Sequence, residues 1–513
     1  MALFETTLLL LLVAILLLQL TRRLPIPYPT VLAMAGVAVA ALPWAPDIGI
    51  DPALALALFI APAVFDAAYD FPPRDMRRYW IPLVSLAAIA VVLTTAVVAW
   101  MGVHLAGLPL AAAVALGAIV APPDAAAATA VLGRFPQLPR NMVTVLKGES
   151  LLNDAVALLI FSAAVGLTQD PEHVSSLLPS LSVAAPGGLL FGYLCARVAM
   201  AVLPRLSGQL SEGLLGFVFT FGVWIVAERL RLSAVLAVVT YGMVVAQLSP
   251  QRTEARDRVH VYSVWNTVVF MLNVLAFLLL GLQARAVVER LAPVELGRAM
   301  VFAGAVLLAV IVTRMLWLLA HNFGVRALYA LRQREGPSLA RSVLVGWCGM
   351  RGLVTLATAL ALPGNFPQRD LIVLTALTVV LGTLVLQGMT LGPLIRWLNL
   401  PPDDSLAREI AQTRAELIDA ALNSLAGDTS PPAQRMREIY QVERDAALRG
   451  ERPNSAQPTE GFKRLGLKAK RARLLSLRRS GVIGDDVFHA LEHELDWQDL
   501  ANAPPERFEL DEA

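Results

Sequence analysis

Long apolar runs alternate with short polar breaks over the first four-fifths of this chain. Thirteen apolar segments fall near 3–20, 29–44, 53–66, 80–101, 106–132, 143–167, 176–204, 211–228, 233–248, 264–283, 295–323, 340–362 and 370–397. A helix rises about 1.5 Å per residue, so about 20 apolar residues cross the hydrocarbon of a bilayer. Most of these runs approach or exceed that length; 53–66, with 14 residues, is the shortest, and 29–44 and 233–248 have 16 each. After Pro401-Pro402 the pattern changes to amphipathic, charge-rich helical stretches at 408–425 and 435–448. The pattern predicts an all-α polytopic membrane region at 1–402 and a small helical domain at 403–513.

The polar breaks test the count. Alternate connections hold 16 basic residues (Arg22, Arg23; Arg74, Arg77, Arg78; Arg134, Arg140, Lys147; Arg205; Arg252, Arg256, Arg258; Arg326, Arg332, Arg334, Arg341). The opposite connections hold five: Arg229, Arg231, Arg285, Arg290 and Arg369. Basic loops stay cytoplasmic, which puts the N-terminus outside and the tail inside. Glu5 precedes the first run and Arg22-Arg23 follow it. That reverses the charge order of a cleaved leader, so the run is expected to remain as a membrane helix.

Two runs are interrupted. The fifth holds Ala121-Pro122-Pro123-Asp124, and adjacent prolines remove backbone donors from a helix. The twelfth holds Gly346-Trp347-Cys348-Gly349-Met350-Arg351-Gly352. They lie seven segments apart. That spacing predicts two six-helix repeats, about 1–167 and 211–397, joined by a linker helix at 176–204, with the second copy inverted. Paired interrupted helices mark the binding site in such architectures.

Composition agrees: 57% of residues are hydrophobic and 16% charged, against about 25% charged in soluble proteins. Mean hydropathy is +0.62. The net charge of +2 conceals an uneven spread, since 403–513 carries 16 basic and 21 acidic residues, net −5, leaving +7 for 1–402. No nucleic-acid partner is expected. Within the tail, 463–479 holds eight Lys/Arg and no acid, and 485–512 is acidic. These are solvated helix faces, or a basic element that touches anionic lipid. Cys195 and Cys348 lie in apolar runs and suggest buried thiols, with no metal or disulfide framework.

The chemistry concentrates in Gly148-Glu149-Ser150-Leu151-Leu152-Asn153-Asp154, inside the sixth run. A carboxylate in the bilayer core costs roughly 2.5–3.5 kcal/mol even on lenient scales, so it marks function. Glu149 and Asn153 share one helix face, and Ser150 and Asp154 the adjacent one. One buried carboxylate can hold a hard cation or a proton in turn, which makes Asp154 the primary candidate. Asn153 has no proton to exchange, so the pair supplies one titrating group. Ser150, one turn before, offers a hydroxyl ligand or bonds back to its own helix. Asp124, at the first break, either anchors the half-helix that follows or meets the cation through water. The carbonyls near Pro122 and Pro123 are loose acceptors. Gly148 is followed by Glu149-Ser150 rather than Lys-Ser/Thr, so no phosphate-binding loop is present to couple a nucleotide. No cofactor is implied.

Six stretches resemble the monovalent cation:proton antiporters, the family of bacterial and eukaryotic sodium/proton exchangers. They are Leu58–Tyr69, Gly117–Val131, Gly148–Ala155, Phe277–Gln283, Gly349–Pro363 and Leu384–Leu398, in matching order. Gly484–Trp497 resembles the end of bacterial members. The resemblance implies a thirteen-helix inverted-repeat fold, usually dimeric, in the cell membrane, exchanging Na⁺ (sometimes Li⁺ or K⁺) for H⁺. It implies electroneutral 1:1 exchange from Asn153-Asp154, and Na⁺ ligands at Asp154, Ser150 and Asp66. Asp66 is otherwise read as an interfacial acid near Arg74 and Arg77. It also implies that Glu149 and Arg351 pair across the broken halves as scaffold. Arg314 and Glu228 are expected to be structural, without named partners. Many relatives have Thr-Asp where this chain has Pro123-Asp124, which removes a hydroxyl and leaves ion selectivity open. Two readings outside the family stand beside it: an intramembrane aspartyl protease using Asp124 and Asp154, and a cation channel without proton coupling.

Overall fold

A computed structural model describes residues 27–42, 52–71, 73–135, 138–169, 174–202, 209–249, 255–289, 293–331 and 338–449, with isolated residues in 12–19 and 466–495. Only isolated residues of the predicted first span at 3–20 and of the basic stretch 463–479 are among these, and the acidic end of the tail and most of Gly484–Trp497 lie outside them. The described residues are helical, without a strand. The chain divides into two compact units, Met1–Pro401 and Pro402–Glu512.

In the first unit we label α1 Tyr28–Ala40, α2 Leu56–Tyr69, α3 Trp80–Ala106, α4 Leu110–Val120, α5 Ala125–Leu132 and α6 Arg140–Gln169. Then follow α7 Val174–Val202, α8 Gln209–Arg229, α9 Ala234–Leu248, α10 Ala255–Val288 and α11 Pro293–Leu331. The unit closes with α12 Leu339–Trp347, α13 Leu353–Leu360 and α14 Arg369–Leu398. Among the described residues seven helices are long and apolar enough to cross a membrane, and three shorter apolar helices accompany them.

The fifth and twelfth runs are each split into two helices, α4/α5 and α12/α13. Two π-helical turns, Leu56–Ile60 and Ser85–Ala90, interrupt the winding of α2 and α3. The unit holds two large apolar cores. One joins residues of α1, α3–α5 and α10–α14. The other joins α2, α7, α8 and α9 with Leu83 of α3 and Trp265 and Val269 of α10. Helix α6 serves both, with Leu146 in the first core and Leu151 and Ala155 in the second. The polar positions of α6 therefore lie where the two cores meet.

Backbones meet closely where α1 crosses α10. A Cβ added to Gly36 would lie 2.9 Å from the Gly281 Cα, and one on Gly281 would lie 2.8 Å from the Gly36 Cα. Apolar surface gains nothing by leaving lipid, so such contact between small residues is what holds membrane helices together.

In the second unit α15 (Ser405–Ser424) and α16 (Pro431–Leu448) form an antiparallel hairpin. Arg444 Nε donates to Asp419 Oδ1 at 2.6 Å across it. In the turn between them, hydrogen bonds from Ser430 hold the Asp428 carboxyl below the usual carboxylate range.

Candidate ion-binding site

The two helix breaks meet. The Asp124 N–H donates to the Met350 carbonyl at 2.7 Å, joining one break to the other. Asp124 is the N-cap of α5, and its Oδ1 accepts from the Ala126 N–H at 2.8 Å. The same carboxylate accepts from the Leu353 N–H, the first amide of α13. One negative charge thus serves two half-helix N-termini, each the positive end of its dipole. Gly352 is required here: any Cβ at that position would collide with the Asp124 carboxylate.

Arg351 is the mirror of this arrangement. Its Nε donates to the Val120 carbonyl at 3.1 Å, a second nitrogen donates to Ala121 at 3.2 Å, and a third donates to Gly349. Val120 and Ala121 close α4, the negative end of its dipole, and Gly349 lies in the break just after α12. The Arg351 N–H is itself bonded to Thr383 Oγ1 at 3.0 Å.

This corrects the expected Glu149–Arg351 pair. Glu149 is bound by Arg314 of α11 in a two-pronged contact, one nitrogen to Oε1 and the other to Oε2 at 2.9 Å. Both side chains are buried. Arg351 is occupied by helix-end carbonyls, which leaves the planar fork of Arg314 to match the carboxylate. Sequence reasoning had no partner for Arg314 because helix α11 reaches Glu149 only through tertiary packing. A buried arginine does require an anion nearby, and that signal marked Arg314 as engaged without saying by what.

The remaining site residues converge on the α4–α5 break. Asn153, fully buried, donates from Nδ2 to the Pro123 carbonyl at 2.8 Å. That carbonyl, expected to be a loose acceptor, is therefore tethered, with one lone pair left. The Asn153 Oδ1 is buried without a hydrogen bond. Ser150 Oγ accepts from the Ala125 N–H at 3.3 Å, so it helps cap α5. Asp154, one turn on, is 7% exposed and makes no hydrogen bond or ion pair among the described residues. The charge of Asp124 is near enough to act on it. Asp66 is half-buried on α2, which packs on α6 and α9. Glu228 lies near the end of α8.

The donor set is all oxygen: one carboxylate, one amide oxygen, one hydroxyl and one tethered carbonyl. Hard monovalent cations take oxygen ligands, and no cluster of three or more His, Cys, Asp and Glu among the described residues suggests a transition-metal site.

Comparison with known proteins follows the same line. Residues 8–397 match the family model described as the transmembrane sodium/hydrogen exchanger. An uncharacterised Na⁺/H⁺ exchanger of Mycobacterium tuberculosis is 29% identical, with 93% of this chain and 92% of the relative aligned. A sodium, potassium, lithium and rubidium/H⁺ antiporter of Bacillus pumilus is 30% identical over 78% of this chain and 62% of its own length. In fold the chain is similar to the sodium proton antiporter MjNhaP1 of Methanocaldococcus jannaschii, with a TM-score of 0.60 and 17% identity, covering 77% of this chain and 99% of that one.

Proposed function

The chain belongs to the sodium/hydrogen exchanger family, and we propose that it exchanges one monovalent cation for one proton at Asp154 by alternating access. The observation that carries this reading is a buried carboxylate without a partner, set among neutral oxygens at the crossing of two broken helices. Unpartnered, Asp154 takes a proton from one side and yields it when a cation arrives, because the two compete for the same oxygens. Ser150 Oγ, Asn153 Oδ1 and the second lone pair of the Pro123 carbonyl complete the cation's shell. Asp66 supplies a further carboxylate on the approach. Asp124, held by two helix N-termini, fixes the crossing. Glu149–Arg314 and Arg351 are scaffold.

Asn153 contributes no proton, which makes the exchange electroneutral. Na⁺ is the proposed substrate; the printed name of the Bacillus relative, which covers four alkali cations, supports testing Li⁺ and K⁺ beside it. The family resemblance suggests a homodimer of the cell membrane, and the loop charges support a tail on the inside. It serves sodium and pH homeostasis. The amide bonds to Asp124 weigh against a protease dyad, because two acids sharing one proton must face each other.

The test is proton movement in everted vesicles from cells without their own antiporters. The lumen is acidified, Na⁺, Li⁺ or K⁺ is added, and a pH-sensitive dye is followed between about pH 6 and 9. A cation-specific alkalinisation that disappears in Asp154→Asn supports exchange at this carboxylate. Silence toward every cation, from protein shown to be folded, would remove the reading; cation flux without proton movement would replace it with a channel.

A further inference from the structure

We propose that His321, on α11, is a second proton-binding site, separate from Asp154, and that its protonation reverses a hydrogen bond that ties α11 to the π-helical turn of α3. Its effect is read through exchange, so it rests on the reading above.

The network has three members. Trp317 Nε1 donates to Ser85 Oγ at 3.2 Å, and Ser85 Oγ lies 3.3 Å from His321 Nδ1. An indole nitrogen can only donate, so one lone pair of Ser85 is taken. In the neutral tautomer with its hydrogen on Nε2, His321 accepts the Ser85 hydroxyl hydrogen at a bare Nδ1; in the other neutral tautomer Nδ1 donates to the second lone pair of Ser85. The reversal belongs to the first of these. Once protonated, both ring nitrogens donate. Nδ1 must then give a hydrogen to Ser85, whose own hydrogen has to turn to another acceptor. The nearest kind is a carbonyl one turn back in its own helix.

The surroundings oppose the cation. Ser85 is buried, 6% exposed, and His321 and Trp317 are half-buried. No acid forms an ion pair with His321 among the described residues. Charged groups on the elements packed around it include Lys147, Glu149 and Asp154 on α6, Arg341 on α12, Arg369, Asp370 and Arg396 on α14, and Glu295, Arg298, Arg314 and Arg326 on α11 itself, with Asp75, Arg77 and Arg78 ahead of α3. Glu149, two turns from His321 through its Arg314 partner, is already held by that arginine. Protonation thus places an uncompensated charge in the α3–α11 seam and weakens it.

The seam matters because of what it joins. Ser85 opens the π turn Ser85–Ala90, and that turn packs on α6, the helix that carries Asp154. Helix α11 grips the same helix through Arg314–Glu149, two turns from His321. π turns are rare and concentrate at functional sites. A proton on His321 therefore loosens one side of the frame around α6.

The experiment compares everted-vesicle exchange in wild type, His321→Gln, Ser85→Ala, the double variant of these two and Asp154→Asn across about pH 5.5 to 8.5, the range in which histidine titrates. Glutamine offers Ser85 an uncharged acceptor at every pH. The expected result is exchange in His321→Gln at pH 8.5, with the ratio of rates at pH 6 and pH 8.5 moved about threefold or more from wild type. Ser85→Ala moves it in the same direction, and the double variant adds nothing further. A profile that superimposes on wild type, or that falls by one factor at every pH, overturns the proposal. No exchange by wild type itself would instead overturn the exchanger reading. Histidine resonances of the purified protein supply a readout without transport: one that titrates in wild type is to be missing in His321→Gln and shifted in Ser85→Ala, and an unshifted set refutes the network.

Discussion

Asn153 shows how one side chain prepares another. Its amide fixes the Pro123 carbonyl, and in doing so turns its own Oδ1 toward a buried space with no other donor. Asn153→Ala is expected to raise the half-saturating cation concentration about tenfold, equivalent to about 1.4 kcal/mol, with a smaller change in maximal rate. The cation dependence of the dye signal in vesicles checks this, and an unchanged affinity would remove Asn153 from the shell. Glu149 and Arg314 give a second residue-scale test. Removing one partner of a buried pair costs about 3–5 kcal/mol, because the other charge is stranded. Glu149→Gln should therefore lower the melting temperature sharply. Adding Arg314→Met should recover part of that loss, whereas adding Arg351→Met should deepen it, since Arg351 serves helix ends and not Glu149. Thermal unfolding in detergent separates these outcomes.

At the scale of elements, the crossing of α4–α5 with α12–α13 is an electrostatic device. Two positive helix ends share Asp124, and Arg351 ties the negative end of α4 to the break after α12. Broken helices expose backbone groups that lipid cannot satisfy, so this matching is what permits the breaks at membrane depth. Gly352→Ala is expected to abolish exchange by pushing the Asp124 carboxylate off the α13 N-terminus. Loss of folded protein or of transport, with Gly364→Ala as the tolerated control since a Cβ there meets nothing, checks it. The helix positions themselves were legible from the apolar runs. So were the breaks, because Pro122-Pro123 and three clustered glycines cannot continue a helix. Which carbonyls Arg351 would find was not legible: many acceptors are equivalent in sequence, and the choice depends on how α4 and α12 approach each other.

For the whole molecule, an electroneutral cycle makes one further commitment. Exchange rates should be unchanged when the membrane potential is clamped or dissipated with a potassium ionophore, measured with Na⁺ as substrate. A rate that follows the potential would mean that a second group, such as Asp66, also carries a proton through the cycle.

The sequence by itself determined what is set by solvent and by local chain chemistry. The apolar periods select membrane helices because backbone groups in lipid must bond within their own segment. The loop charges carry the expected orientation, and Gly148–Asp154 carries the proposed chemistry, because an acid at that depth is too costly to be incidental. Tertiary structure decided everything that depends on distance between segments. It gave Glu149 to Arg314 rather than Arg351, bound Pro123 to Asn153, spread Asp124 over two half-helices, and brought His321 to Ser85 across 236 positions of chain. Partners of this kind are chosen by packing and by which groups are already satisfied, and neither is written in the order of residues.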